Sequence, residues 1–521
     1  MERQIRQLGV ALLVLFLIAF AQINYIQVVA ADRIENDPAN GKRELIAEYK
    51  VERGSILAAD GTTVLASSRP SAGDLRFQRR YPHGELYAHE TGFYSFVFAR
   101  AELEQSFNDF LAGDAAELLP QTLTDLILGR PKQGATIVTT LDPVVQEAAA
   151  QAALAEPGDV AIAAIDPSTG DVLALFAEPS YDPNLLASQD PKVVRESWDE
   201  LNADPDKPLV SRASDELFPP GSTFKLVTAS AALQNGFGPT STWPNPRALD
   251  LPLTDETLEN FGGSHCAGGA ATITLAEALK ISCNVTFGEI GLELGAEALA
   301  EALRISCNVT FGQVGLELGA EALAEQARLY GFTAEPGQDL VPFDIPWVSG
   351  VFPAPDTFEQ REPAVALSAI GQQDVAANPL QMALVAAAIG NGGVEMQPRL
   401  VTEARDPSGR VIATFDPEIF STPLTPANAA ILTQMMVAVV ESGTGTAAQI
   451  PGVAVAGKTG TAQHGDGADP HAWFVSFAPA EAPRVAVAVI VLDGGSLGSE
   501  ATGGQVAAPI AKAVMEAGLG I

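Results

Sequence analysis

Apolar residues are grouped in three different ways along this chain, and each grouping marks a segment. Residues 8–20 are an unbroken apolar run, followed to residue 31 by a mixed stretch that holds Gln22, Asn24 and Gln27. The run alone is short for a bilayer, but with Ile23, Tyr25, Ile26, Val28 and Val29 the segment approaches the ~20 residues a spanning helix needs. Arg3 and Arg6 precede it, which by the positive-inside rule keeps the N terminus in the cytoplasm and sends the downstream chain outside. A cleaved signal peptide is the alternative, because Ala19-Phe20-Ala21 resembles a cleavage site. Apolar residues continue past that site, so the expectation is an uncleaved single-pass transmembrane anchor over residues 1–31, in the cell membrane, with everything later extracytoplasmic.

Residues 32–155 read as a separate N-terminal module. Its Asp60-Gly61 turn is flanked by apolar residues over 53–61, a hairpin pattern. A polar, aromatic-dotted stretch (76–94), a helix (101–111) and an Ala-rich helix (144–155) come next. From residue 158 the pattern changes. Residues 160–165 and 171–176 are apolar, β-rich runs joined by Asp166-Pro167-Ser168-Thr169-Gly170, a turn sequence. The polar, proline-dotted residues 182–209 read as a loop-rich rim. Residues 222–234 read as a helix closed by Asn235-Gly236, and 364–390 as two helical pieces split at Asn378-Pro379. Strands are expected at 453–456, 472–478 and 485–492, with a closing helix at 505–517. Strands at both ends of one domain with helices between them predict an α+β fold over residues 156–521.

Composition narrows the class. A chain of 521 residues with 47% hydrophobic content supports two or three domains with a large core. With a net charge of −34 and only nine lysines, most of the surface repels polyanions, which sets nucleic acid aside as a partner. Cys266, Cys283 and Cys307 form no disulfide framework and have no metal-ligand spacing to a histidine cluster. His265 beside Cys266 reads as structural. His83 and His89 lack a carboxylate at useful spacing and read as surface or packing residues. No metal site and no cofactor are expected.

The candidate chemistry centres on Pro219-Pro220-Gly221-Ser222-Thr223-Phe224-Lys225. Two prolines and a glycine cannot continue a helix, so Ser222 opens the one after them. Residues three apart share a helix face, which puts the Lys225 amine within reach of the Ser222 hydroxyl. That is a nucleophile with a base beside it, and a lysine takes a proton only where desolvation or nearby positive charge lowers its pKa. Ser-x-x-Lys is a common accident on helices, yet of the nine lysines only Lys225 has a serine three residues before it. Ser282-Cys283-Asn284 comes after a helical stretch at 275–281. Its hydroxyl can pass a proton and its amide can hydrogen-bond a peptide. Val455 to Ala462 is a β-run carrying Lys458, Thr459, Gly460 and Thr461. A strand of that kind lets an extended peptide lie along its edge, the glycine permits close approach, and the cation and hydroxyls bind a carboxylate.

Ser-x-x-Lys, Ser-x-Asn and Lys-Thr-Gly in this order are shared by penicillin-binding proteins and serine β-lactamases. The chain resembles a class B penicillin-binding protein of the A type from about residue 53 to the C terminus. Arg53-Gly54-x-Ile56, Ile370-Gly371-Gln372, Pro379-Leu380-Gln381-Met382-Ala383 and Gly460-Thr461-Ala462 with Trp473-Phe474 add to the likeness. The resemblance implies a serine β-lactamase/transpeptidase-like antiparallel sheet of five strands covered by helices, on an N-terminal pedestal or dimerisation domain. It implies a membrane-anchored D,D-transpeptidase that cross-links peptidoglycan stem peptides and is acylated by β-lactam antibiotics, with a division or elongation partner in the membrane. Ser222 would attack the D-Ala-D-Ala amide, Lys225 act as base, Ser282 relay the proton and Asn284 hold the substrate backbone. Lys458 would supply positive charge, Thr459 and Thr461 bind the terminal carboxylate, and the N–H groups of Ser222 and Thr461 hold the oxyanion. Residues 32–155 are too few for a glycosyl-transferring module and show no paired acidic site. A D,D-carboxypeptidase, a β-lactamase and a non-catalytic β-lactam sensor on the same fold remain open.

One feature departs from the pattern. Residues 275–298 recur as 299–322 with three changes, Lys280/Arg304, Glu289/Gln313 and Ile290/Val314. The chain therefore carries two Ser-Cys-Asn copies, Ser282/Asn284 and Ser306/Asn308. Two copies are too few to stack as a solenoid. The first keeps its upstream connection and is the favoured one, with the extra length protruding after Asn284, where a surface insertion costs little closure entropy.

Overall fold

Three runs of continuous apolar sequence become the middle of a sheet because both of their faces are covered. The computed structural model describes residues 2–25, 48–72, 75–236, 242–244, 248–250, 257–259, 272–274, 308–338, 340–358, 362–465 and 467–521. Strands β1 (Val160–Ile165), β2 (Val172–Glu178), β3 (Ala456–Ala462), β4 (His471–Ala478) and β5 (Val485–Val491) form a five-stranded antiparallel sheet in the order β3-β4-β5-β1-β2. Every residue of β1, β4 and β5 is buried. On β5, Val485, Val487, Val489 and Val491 enter one apolar cluster, and Ala486, Ala488 and Ile490 enter the other. Alternate residues thus serve opposite helical layers, which is why the sequence shows no polar face.

Helices α1 (Pro143–Ala155) and α6 (Ala507–Leu519) cover the first face. Helices α2 (Lys225–Gln234), α3 (Asn308–Leu329), α4 (Pro379–Gly390) and α5 (Pro426–Ser442) build the other layer. The helix starts obey local chemistry. Asp142, Asn378 and Thr425 each cap a helix whose first residue is proline, so the missing N–H falls where none is needed. Asn378 also donates to Ser214 O (2.6 Å) and Val348 O (2.7 Å), which ties the start of α4 to two loops.

Three expectations change. Residues 182–209 are not only loop: Pro183–Leu186 and Pro191–Ala203 are helices, capped by Asp182 and Asp190, so the prolines that looked like breakers are first-turn residues. The helix expected at 101–111 is two short ones, Glu102–Ser106 and Asn108–Ala112, separated at Phe107. The separate strand expected at 453–456 is not formed; the strand is Ala456–Ala462, in the β-run read at Val455 to Ala462.

The N-terminal module is built on a six-stranded mixed sheet in the order Val411–Thr414, Val401–Arg405, Thr136–Thr139, Ile56–Leu57, Val64–Pro70, Phe77–Arg80. Its first two strands arrive from the far side of α4. Inside the module, Glu104 receives Arg53 Nε at 2.6 Å and Arg79 Nε at 2.5 Å with all three side chains almost fully buried. Burial alone would raise the Glu104 pKa, but the two guanidiniums outweigh it and hold the carboxyl below its usual range. His89 is a packing residue, buried with Nε2 3.0 Å from Pro208 O, and His83 is exposed on the surface. At the N terminus a helix spans Glu2–Asn24, and among the described residues no helix is long and apolar enough to cross a membrane.

Candidate active site

The segment before Ser222 is pinned at four points. Phe218 and Ala377 exchange backbone hydrogen bonds (2.9 and 2.8 Å), Trp473 Nε1 donates to Pro219 O (3.0 Å), Thr223 Oγ1 donates to Pro220 O (2.7 Å), and Gly221 N–H donates to Gly371 O (2.9 Å). Gly221 has φ +52°, a conformation glycine adopts without the penalty other residues bear. The chain then makes a 3-10 turn, Gly221–Thr223, and enters α2 at Lys225. Ser222 therefore lies in the tight turn and Lys225 at the first position of the helix, rather than both within one regular helix. Lys225 is fully buried and Ser222 is 8% exposed. Phe224 between them stacks on Phe352 at 5.6 Å and meets Phe332 edge-on, and Thr228 Oγ1 ties the next turn to Ala369 O at 2.7 Å.

Strand β3 runs directly against this turn. A Cβ on Gly460 would lie 2.9 Å from Thr223 Cγ2 and 3.1 Å from Pro220 O, and one on Gly221 would lie 2.9 Å from Thr461 O. Neither position has room for a side chain. Lys458 is fully buried with Nζ donating to Thr459 O at 2.8 Å, Thr459 is 5% exposed, and Thr461 is the one residue of β3 left half-buried. The structure thus brings Ser222, Lys225, Lys458, Thr459, Gly460 and Thr461 together at one seam. Ser282, Asn284 and Ser306 lie outside the described residues, as do His265 and all three cysteines; Asn308 is described only as the first residue of α3.

Two contributions escaped the sequence reading. Thr444 Oγ1 lies 2.6 Å from Thr459 Oγ1, which holds that hydroxyl from behind. A Cβ on Gly503 would come within 1.9 Å of Trp473 O and 2.6 Å of Gly460 O, so the Gly503-Gly504 pair lets the chain close over the paired strands. The doubled glycine and the small polar run at 442–446 were the available signals.

At the far end of the same hairpin, His464, His471 and Asp493 come together. Asp493 Oδ1 is 2.9 Å from His464 Nε2 and 3.7 Å from His471 Nδ1, and the two imidazoles stack at 3.6 Å. Burial, then the charge of His464, pushes the His471 pKa down to about 4 against the pull of Asp493.

The penicillin-binding protein transpeptidase domain matches residues 160–516, and the dimerisation domain of penicillin-binding protein A matches residues 53–137. This chain belongs to the penicillin-binding protein transpeptidase family. The α+β catalytic fold and the N-terminal dimerisation domain of that family both hold for it. It is similar to the peptidoglycan D,D-transpeptidase PbpA of Mycolicibacterium smegmatis, with 39% identity over 100% of this chain and 99% of the relative. Among solved structures it is similar to penicillin-binding protein A from M. tuberculosis as a ceftriaxone acyl-enzyme complex (TM-score 0.80, 39% identity, 91% of this chain and 100% of that one). The penicillin G acyl-enzyme complex of the same protein gives a TM-score of 0.77 at 39% identity, over 90% and 100%.

Proposed function

We propose that this penicillin-binding protein is a peptidoglycan D,D-transpeptidase in which Ser222 is acylated by the stem peptide. The reading rests on one observation above the others: the turn bearing Ser222 and the buried Lys225 is packed against β3 so closely that glycine is required on both sides of the seam. Its relatives named as peptidoglycan D,D-transpeptidases and as β-lactam acyl-enzymes support it.

In this mechanism the substrate lies along β3 with its terminal carboxylate at Lys458, Thr459 and Thr461. Ser222 Oγ attacks the carbonyl carbon of the D-Ala-D-Ala amide while Lys225 Nζ takes its proton. The N–H groups of Ser222 and Thr461 hold the oxyanion as the tetrahedral intermediate forms, and donors of that kind are worth about 3 kcal/mol each. The serine of a Ser-Cys-Asn copy passes the proton to the departing amine of the terminal D-Ala, and its asparagine holds the peptide backbone. The acyl ester is then attacked by an acceptor amine, which restores the Ser222 hydroxyl. Helix α3, which holds Asn308 of the second copy and kinks at Gly319, packs against α2, with Tyr330 beyond the kink meeting Ser230 Oγ at 2.8 Å. That favours Ser306 and Asn308 for these roles over the expected Ser282 and Asn284.

The anchor belongs to the same proposal. The apolar run inside the N-terminal helix exposes Leu12, Leu13, Leu15, Phe16, Leu17, Ile18 and Phe20. Extended by the apolar residues after Asn24, it reaches spanning length and holds the enzyme at the membrane with the catalytic domain outside.

Intact mass after incubation with a penicillin tests the assignment. A lasting adduct is expected in the parent, none in Ser222→Ala, and a far slower adduct in Ser306→Ala than in Ser282→Ala. Drug consumed without an adduct would make the chain a β-lactamase, and neither adduct nor consumption would end the enzyme reading.

A further inference from the structure

We infer that His464, His471 and Asp493 form a binding site for a divalent transition metal of the zinc type at the loop end of the β3–β4 hairpin. Two imidazoles and one carboxylate are the donor set such an ion takes when it keeps an open position. Here the three ligand atoms already converge: all lie within 4.8 Å of one another. A tetrahedral ion with bonds of about 2.0 Å spaces its ligand atoms about 3.3 Å apart. The two distances to Asp493 Oδ1, 2.9 and 3.7 Å, bracket that spacing.

The protonation pattern fits as well. His471 Nδ1 accepts the Asp493 N–H at 3.2 Å, so this nitrogen carries a lone pair and no proton, and an ion takes that lone pair over by displacing the hydrogen bond. His464 Nε2 also faces the Asp469 carbonyl at 2.9 Å, which places a fourth donor, an oxygen, at hand. His471 is 7% exposed and edge-on to Phe218 at 5.6 Å, whereas His464 is 29% exposed, so of the two rings His464 has the more room to move. Parallel stacked rings cannot both direct in-plane lone pairs at one ion. Binding therefore swings His464 out of the stack while His471 stays in place.

The plain alternative is a histidine pair hydrogen-bonded to a surface carboxylate. Against it stands the topology. His464 comes three residues after Thr461, His471 opens β4 opposite Ala462, and Asp493 lies just past the end of β5. Three separate chain segments thus deliver one donor each to one point beside the catalytic seam, and an occupied site clips the β3–β4 connection to the segment after β5.

The test uses the full chain purified in detergent and stripped with a chelator, titrated with Zn2+ alone and separately with Co2+. One equivalent of Zn2+ is expected to bind and raise the unfolding temperature, and Co2+ to give the visible absorption of a tetrahedral site. His464→Ala and Asp493→Ala are expected to weaken Zn2+ binding at least tenfold while the metal-free variants are still acylated by penicillin, which shows that they fold. A triple Cys→Ser variant at positions 266, 283 and 307 is expected to bind as the parent does. No saturable binding, binding unchanged in the histidine and aspartate variants, or binding lost in the cysteine variant would each overturn the site.

Discussion

Gly221→Ala tests whether the seam between the Ser222 turn and β3 sets the acylation rate. An added methyl would sit 2.9 Å from Thr461 O and 3.0 Å from Ala462 Cβ, about 0.5 Å inside ordinary contact. With φ at +52° the alanine also costs roughly 1 kcal/mol in conformation. Turn and strand must separate, and they carry the two proposed oxyanion donors, Ser222 N–H and Thr461 N–H, on opposite sides of the gap. Losing one such donor outright costs about 10²- to 10³-fold in kcat, so stretching the pair is expected to slow acylation roughly 10- to 100-fold. Stopped-flow acylation with a fluorescent penicillin gives the rate, and intact mass confirms that Ser222 still reacts to completion. Thermal unfolding should show only a fall of a few degrees. An acylation rate indistinguishable from the parent's would mean that this contact does not position the donors, and the oxyanion assignment would fall with it.

The N-terminal module yields two further expectations. Glu104→Gln leaves the buried guanidiniums of Arg53 and Arg79 without their countercharge and should lower unfolding stability by about 3–5 kcal/mol in urea titrations; a loss below about 1 kcal/mol would show that the triad is solvated. Glu102 has its pKa pushed up to about 8 by burial and then by the charge of Asp215. The folded state therefore holds a proton that the unfolded state releases near its ordinary value of 4.5, and stability falls as pH rises from there to about 8. Glu102→Gln should flatten that decline, being more stable than the parent above pH 8 and equal to it in acid; parallel curves would refute the reading.

Much of the catalytic half was legible in the sequence because its signals are local. A proline pair before Ser222, a capping Asn378 before Pro379, and apolar runs for β1, β4 and β5 each act within a few residues. β3 was legible as the β-run from Val455 to Ala462, whereas the burial of its polar Lys458 and Thr459 was not, because burial is a property of the fold. The helices within residues 182–209 were hidden because proline marks a helix's first turn as readily as a loop. Thr444 and Gly503 could not be tied to the site, since each meets it only by tertiary contact from a turn. The same holds for His464, His471 and Asp493, which lie on three segments that meet at one end of the sheet. The order of Ser222, Ser-Cys-Asn and Lys458 was readable, whereas the choice between the tandem copies depends on which one adjoins a docked helix.

The strand Val401–Arg405 bears on how the chain matures. It pairs with Thr136–Thr139, and Thr402 Oγ1 donates to Val138 O across 264 residues of sequence. A nascent chain emerging N terminus first would present Thr136–Thr139 long before its neighbour exists, leaving an open sheet edge of the kind that invites mispairing. The module that comes out first is thus completed only after β1, β2 and α4 have been made, though before β3, β4 and β5. Fragments ending before residue 401 should be poor substrates for refolding, because the pedestal borrows two of its six strands from the sequence of the catalytic half.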